Sequence, residues 1–165
     1  MAGAKILVAE DDGIIAHHIQ NVLIKLGYQV VGVAQSGFDA FALVEREQPE
    51  LILMDINLQG DLDGVDTADQ IHRKFDTPIV YLTAYSDEKT LHRARISDPF
   101  GYILKPFDER TLHATIIIAL HKHELDLELK ASEARFRALV QNQGEGLLIV
   151  DREERFVFAN PAADE

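Results

Sequence analysis

The sequence contains no cysteine. Disulfides and thiolate chemistry are therefore excluded, and the chain is compatible with the cytosol. It also lacks an apolar run of membrane-spanning length. Its first residues, Met1-Ala2-Gly3-Ala4-Lys5, carry no signal-peptide pattern. The expectation is a cytoplasmic protein with no membrane contact. Basic residues are scarce: 16 Lys and Arg against 28 Asp and Glu give a formal net charge of −12. Such a surface disfavours nonspecific binding to nucleic acid or anionic lipid, and it suits a site that needs a cation. From Asp108 to Gln143 neither glycine nor proline occurs. Helical periodicity there runs well past the usual length of a globular helix.

What the chain does contain is core-forming material. Hydrophobic residues make up 47% of 165, enough for one full domain and a fragment of a second. In Leu51-Ile52-Leu53-Met54-Asp55, four large apolar residues follow Pro49 closely and end on one carboxylate. Such a run reads as a central strand buried on both faces. Ile6-Leu7-Val8-Ala9, ending on Glu10-Asp11-Asp12, reads as another, and residues 28–33 as a third. A fourth covers residues 78–82, ending on Thr83-Ala84, and a fifth covers residues 100–104, ending on Lys105-Pro106. Helical patterns lie between them. One buries Ile15, Ile19, Val22, Leu23 and Leu26 and stops at Gly27; one is capped by Ser36 and ends before Pro49. A third runs from about Val65 to Lys74, and a fourth, capped by Ser86, passes through Leu91 and Ala94. Five alternations of strand and helix predict an α/β fold with a five-stranded, doubly wound parallel sheet.

In an open parallel sheet, ligands bind beyond the carboxyl ends of the strands. Four of these strands end on Glu10-Asp11, Asp55, Thr83 and Lys105. Three gathered carboxylates repel, so the site either raises one pKa or takes a cation. Oxygen donors without His or Cys point to Mg²⁺ rather than Zn²⁺. An acidic cation site beside a lysine and a hydroxyl suits a phosphoryl group. Asp55, ionised at neutral pH, needs no general base to act as a nucleophile. The product would be an aspartyl phosphate.

With Ile6-Leu7-Val8-Ala9-Glu10-Asp11, Leu53-Met54-Asp55, Tyr81-Leu82-Thr83-Ala84 and Gly101-Tyr102-Ile103-Leu104-Lys105-Pro106-Phe107 in order, the chain resembles the receiver domain of two-component response regulators. The resemblance spans residues 4–122 and implies a flavodoxin-like or CheY-like sheet in the order 2-1-3-4-5. It implies that Asp55 accepts a phosphoryl group from a phosphohistidine on a sensor histidine kinase. Mg²⁺ would be bound by Asp11, Asp55 and the backbone carbonyl of Asn57, with Glu10 acting through a water. Glu10 stands where Asp is commoner in the family. Lys105 and Thr83 would assist the transfer, and Thr83 with Tyr102 would form the switch pair. A cis Lys105–Pro106 peptide is implied as well. Receivers catalyse their own phosphorylation and dephosphorylation, so no separate substrate turnover is expected.

Residues 123–143 read as a linker or coiled-coil helix. Thr115, Ile118, Lys122, Leu125, Leu129, Ser132, Phe136 and Leu139 form a flawed heptad seam that predicts a homodimer. Residues 144–165 carry two strand-like runs around a polar turn. With Ser132–Val140, Gly146–Asp151 and Asn160-Pro161-Ala162-Ala163, the tail resembles the opening of a PAS domain, to which no cofactor is assigned. The signal would pass through the long helix to this PAS or another output region.

Two other functions compete. A haloacid-dehalogenase-type phosphatase also sets a nucleophilic Asp after an apolar strand, but it needs a second Asp two residues on, where this chain has Asn57. A pseudo-receiver would serve only for docking, a role that the complete set of site residues argues against. No helix-turn-helix is evident. The histidines, His17, His18, His72, His92, His113, His121 and His123, have no ligand spacing and are expected on solvated surfaces.

Overall fold

The computed structural model describes residues 3–84, 99–141, 148–152 and 155–159. The elements are β1 (Lys5–Ala9), α1 (Gly13–Lys25), β2 (Gln29–Ala34), α2 (Gly37–Glu47), β3 (Leu51–Asp55), α3 (Gly64–Lys74), β4 (Ile79–Ala84), β5 (Gly101–Lys105), α4 (Glu109–Gln141), β6 (Leu148–Val150) and β7 (Phe156–Ala159). The helix expected to be capped by Ser86 lies outside the described residues. The chain divides into two compact units, Met1–His123 and Glu124–Glu165.

In the first unit stand five parallel strands, as the alternation predicts, in the order β2-β1-β3-β4-β5 that the resemblance implies. β3 occupies the centre, and all five of its residues are buried. Its side chains alternate between two cores. Leu51 and Leu53 join Ile6, Val8, Ile19, Leu23, Leu112 and Ile116 on one face. Ile52 and Met54 join Leu7, Ala40, Val44, Ala68 and Ile71 on the other. A strand covered on both sides has no polar face, which is why its sequence reads as an unbroken apolar run.

The helices start and stop where local chemistry dictates. Asp12 caps α1 by accepting from the N–H groups of Ile14 at 2.8 Å and Ile15 at 3.1 Å. Gly27, at φ +85°, takes the left-handed turn that follows α1. Ser36 caps α2, and Asp63 caps α3 through the Asp66 N–H at 2.9 Å. The Asp108 carboxylate accepts from Thr111 N–H at 2.7 Å where α4 begins, which holds the Asp108 carboxyl below its usual range.

α4 is a single helix of 33 residues, as its lack of helix breakers predicts. Leu112, Ile116 and Ala119 bury one side of its first half. Leu125, Leu129, Phe136 and Leu139 of the expected seam are all exposed. In the second unit β6 and β7 pair antiparallel, with Ile149 opposite Phe158 and a turn closed by Asp151 N–H to the Arg155 carbonyl at 2.9 Å. Among the described residues no helix is long and apolar enough to cross a membrane.

Two of the histidine expectations need correction. His113 is half-buried, and its Nδ1 shares a hydrogen bond of 3.0 Å with the Tyr28 hydroxyl. Tyr28 itself is a buried core residue, and its burial raises the phenol pKa. His123 is also half-buried, with its ring edge-on to Phe100. His123 falls in line with the buried Leu112, Ile116 and Ala119 of α4, and His113 lies at the flank of that stripe beside Tyr28, so both rings have area that can be covered. His17, His18, His72 and His121 are exposed as expected, and His92 lies outside the described residues.

Candidate functional site

The register of the sheet delivers the site. Ala9 pairs with Met54, so Glu10 comes level with Asp55 one residue on. Asp55 pairs with Leu82, which precedes Thr83, and Ala84 pairs with Lys105. Four parallel strands of similar length thus bring their terminal residues to one edge.

The Lys105 ammonium lies at the middle of the cluster. Its Nζ donates to Glu10 Oε2 at 2.6 Å and to Asp55 Oδ2 at 2.7 Å. Glu10 is 1% exposed and Asp55 7% exposed, so both carboxylates are largely withdrawn from water. Asp11 completes an acidic group: one carboxylate oxygen from each of Glu10, Asp11 and Asp55 lies within 4.8 Å of the others. Burial pushes the Glu10 carboxyl up to about 7; the charge of Asp55 adds to this, and the Lys105 hydrogen bond opposes it. Burial works to lower the Lys105 pKa, but hydrogen bonds to Asp55 and Glu10 outweigh it and raise it. One lysine therefore does not fully compensate three carboxylates. The donors are all hard oxygens, and a small divalent cation such as Mg²⁺ fits both the charge and the chemistry.

The loop after β3 orients the central carboxylate. Asn57 N–H donates to Asp55 Oδ1 at 3.0 Å, and Ile56 N–H donates to the Leu82 carbonyl at 3.1 Å. Gly64 N–H then returns to the Ile56 carbonyl at 3.0 Å. A Cβ at Gly64 would collide with the Asp55 carbonyl oxygen. Only glycine lets the loop close this tightly beneath Asp55. The sequence displays Gly64 as one glycine in an exit loop; its contact with Asp55 is a backbone proximity that carries no residue pattern.

Thr83 is 1% exposed, and its hydroxyl donates to the Ala84 carbonyl at 3.2 Å. Tyr102 is half-buried and stacks on its cross-strand partner Tyr81, with ring centroids 5.9 Å apart and planes inclined at 30°. The Lys105–Pro106 peptide is cis. An open groove of about 440 Å³, lined by Ile14, Ile15, His18, Lys105, Pro106 and Phe107, runs beside Lys105. The structure thus gathers Glu10, Asp11, Asp55 and Lys105 into one cluster, with Thr83 and Tyr102 on the two adjoining strands.

Comparison with known proteins agrees with this picture. The chain is 33% identical over 150 residues to the transcriptional regulatory protein PdtaR of Mycobacterium tuberculosis. That match covers 91% of this chain and 66% of PdtaR, so the chain spans just under two thirds of that relative. It is 34% identical over 117 residues to the phyllosphere-induced regulator PhyR of Methylorubrum extorquens, covering 70% of this chain and 43% of PhyR. Among solved structures, the signal receiver domain of a modulated diguanylate cyclase from Desulfovibrio desulfuricans superposes with a TM-score of 0.72 at 37% identity, covering 75% of this chain and 98% of that domain. The N-terminal domain of a response regulator/sensory box/GGDEF 3-domain protein from Carboxydothermus hydrogenoformans gives 0.69 at 36%, covering 74% and 98%. The response regulator receiver domain family matches residues 6–117. With that match across most of the chain, the protein belongs to the response regulator receiver domain family of two-component signalling.

Proposed function

We propose that this receiver is a phosphorylation-controlled switch in which Asp55 accepts a phosphoryl group from a phosphohistidine of a sensor histidine kinase. One observation carries the reading: Asp55 lies at the open edge of the sheet with Lys105 Nζ on its Oδ2 and two further carboxylates beside it. In the transfer a carboxylate oxygen of Asp55 attacks phosphorus. The new O–P bond forms as the P–N bond breaks, and the electron pair leaves on the donor imidazole nitrogen. Lys105 neutralises charge on the phosphoryl oxygens, and the Asn57 N–H holds the carboxylate in place. Asp11, Asp55 and the Asn57 carbonyl would hold Mg²⁺, with Glu10 acting through a water. When bound, the ion supplies further charge neutralisation at the phosphoryl group. The groove beside Lys105, with Ile14 84% exposed at its rim, gives the donor an apolar shoulder to rest on.

Thr83 then turns its hydroxyl from the Ala84 carbonyl to the new phosphoryl oxygen, and Tyr102 moves inward into the space released. The functional segments are residues 4–122 as receiver, 123–143 as linker or coiled-coil helix, and 144–165 as the start of a PAS-like domain. The antiparallel β6–β7 pair supports the last assignment, as does the receiver from a response regulator/sensory box protein among the similar structures. The exposed apolar residues of α4 support a homodimer through that helix, which relays the state of Asp55 to the output region. The net charge of −12 and the helix composition support a cytoplasmic protein that binds neither nucleic acid nor membrane through this segment.

The test is intact mass after incubation with acetyl phosphate, with and without EDTA. One Mg²⁺-dependent phosphoryl adduct is expected, absent in Asp55→Asn. An adduct that survives that substitution overturns the assignment.

A further inference from the structure

β5 has a chemical group at each end. Lys105 closes it at the phosphoacceptor edge. Phe100 precedes it at the other, where its N–H donates to the Ile79 carbonyl at 2.9 Å. Phe100 is gripped by consecutive residues of α4: Lys122 Nζ stands 4.9 Å from its ring centroid, and the His123 ring meets it edge-on at 5.4 Å and 82°. His123 Nδ1 is buried without a hydrogen-bond partner among the described residues, so the imidazole is held there by ring packing. Between the two ends Gly101 lies against Thr115, where an added Cβ would come within 3.0 Å of Thr115 Cγ2.

α4 is also fastened at its start. Lys25 bonds Glu109 at 2.7 Å, and Tyr28 bonds His113 at 3.0 Å. The buried positions Leu112, Ile116 and Ala119 lie between Glu109 and Lys122 along the helix. Beyond His123 the apolar residues Leu125, Leu127 and Leu129 are exposed. The Phe100 contact thus lies beside the start of the exposed stretch of α4, and Phe100 directly precedes the strand that carries Tyr102 and Lys105.

We propose that the Lys122–Phe100–His123 clamp couples β5 to α4, so that a change at Asp55 alters the stability of the helix around residues 117–125. This rests on the phosphoacceptor reading above. The clamp sets how far the receiver holds the helix. When Lys105 follows the phosphoryl group and Tyr102 moves, Phe100 shifts with its strand and α4 is gripped or released at Lys122 and His123.

Amide hydrogen exchange on the full chain tests this in two stages. In the unliganded protein, Phe100→Leu is expected to speed exchange across residues 117–125 by about tenfold and to leave residues 109–116 within about twofold. Lys122→Met, which keeps the aliphatic stem and removes the charge, should give a smaller change of the same pattern. His123→Phe should preserve slow exchange, since ring packing holds that side chain. Equal exchange in wild type and Phe100→Leu overturns the clamp. Beryllofluoride with Mg²⁺ is then added and its binding followed by fluorine NMR. Wild type should change its exchange over residues 117–125, whereas Phe100→Leu should bind beryllofluoride equally and lose that change. A change retained in Phe100→Leu overturns the coupling. Failure of wild type to bind beryllofluoride overturns the phosphoacceptor reading and the coupling with it, while the first-stage exchange still judges the clamp.

Discussion

Gly64 packs so closely beneath Asp55 that a methyl group there would overlap the Asp55 carbonyl oxygen. The central carboxylate is thus positioned by a missing side chain as much as by the groups that bond it. Gly64→Ala must push the loop after β3 away from the strand. Overpacking of this kind costs about 1–3 kcal/mol. Urea unfolding should report a loss of that size, and acetyl phosphate should label Asp55 more slowly. Unchanged stability and labelling would mean that the loop yields without moving the carboxylate.

Glu10 gives the metal-free protein a defined pH dependence. Its carboxyl is raised from 4.5 to about 7 in the fold, chiefly by burial. Between those values the folded chain keeps a proton that the unfolded chain has lost, so this group's stabilisation is full below about pH 4.5 and is lost as pH rises through 7. Thermal unfolding in EDTA should show this as a fall in Tm across that window, and Glu10→Gln should flatten the fall. Excess Mg²⁺ at pH 7.5 should restore stability to wild type by binding the folded state. A Tm difference between wild type and Glu10→Gln that does not vary with pH would contradict the titration.

Thr83 donates to its neighbour's carbonyl rather than to any group of the acidic cluster. Its proposed role begins only when a phosphoryl oxygen is present. Thr83→Ala should therefore still accept beryllofluoride but should uncouple it from Tyr102, whose ring now stacks on Tyr81. NMR shifts of Tyr102 should respond to beryllofluoride in wild type and not in the variant. Equal responses in both would remove Thr83 from the switch.

The exposed residues of α4 predict association. Leu125 is 50% exposed and Leu129 60%. Each such side chain gains roughly 1.5–3 kcal/mol when fully buried, so two copies have reason to pair along this face. Lys122 and Ser132 weaken the seam. Light scattering should report a dimer at tens of micromolar, and Leu125→Glu with Leu129→Glu should yield a monomer. A dimer that tolerates both substitutions uses another surface.

The sheet was legible because its inner strands bury both faces. Leu51 to Met54 and Ile6 to Ala9 had to be apolar throughout, and an unbroken run is visible in one dimension. The site was legible because parallel register carries strand-terminal residues to one edge, so Glu10, Asp55 and Lys105 could be read as neighbours before any distance was known. Gly64 escaped because a close backbone approach has no periodicity. The Tyr28–His113 and Phe100–His123 pairs escaped for another reason. Each joins residues far apart in sequence, and a histidine on a helix looks the same whether its ring meets water or an aromatic partner.

Lys105 and Glu10 are separated by 95 residues in the chain, yet their side chains meet at 2.6 Å. Contacts of such span form late, because a long loop must close before they offer any return. During synthesis the carboxylates of β1 and β3 emerge well before the only lysine that bonds them among the described residues. A nascent chain that has reached Thr83 holds the acids without their counter-charge. If Asp55 is the phosphoacceptor proposed above, the capacity to take a phosphoryl group waits for β5, and a chain stalled or cut between β4 and β5 should take up none from acetyl phosphate.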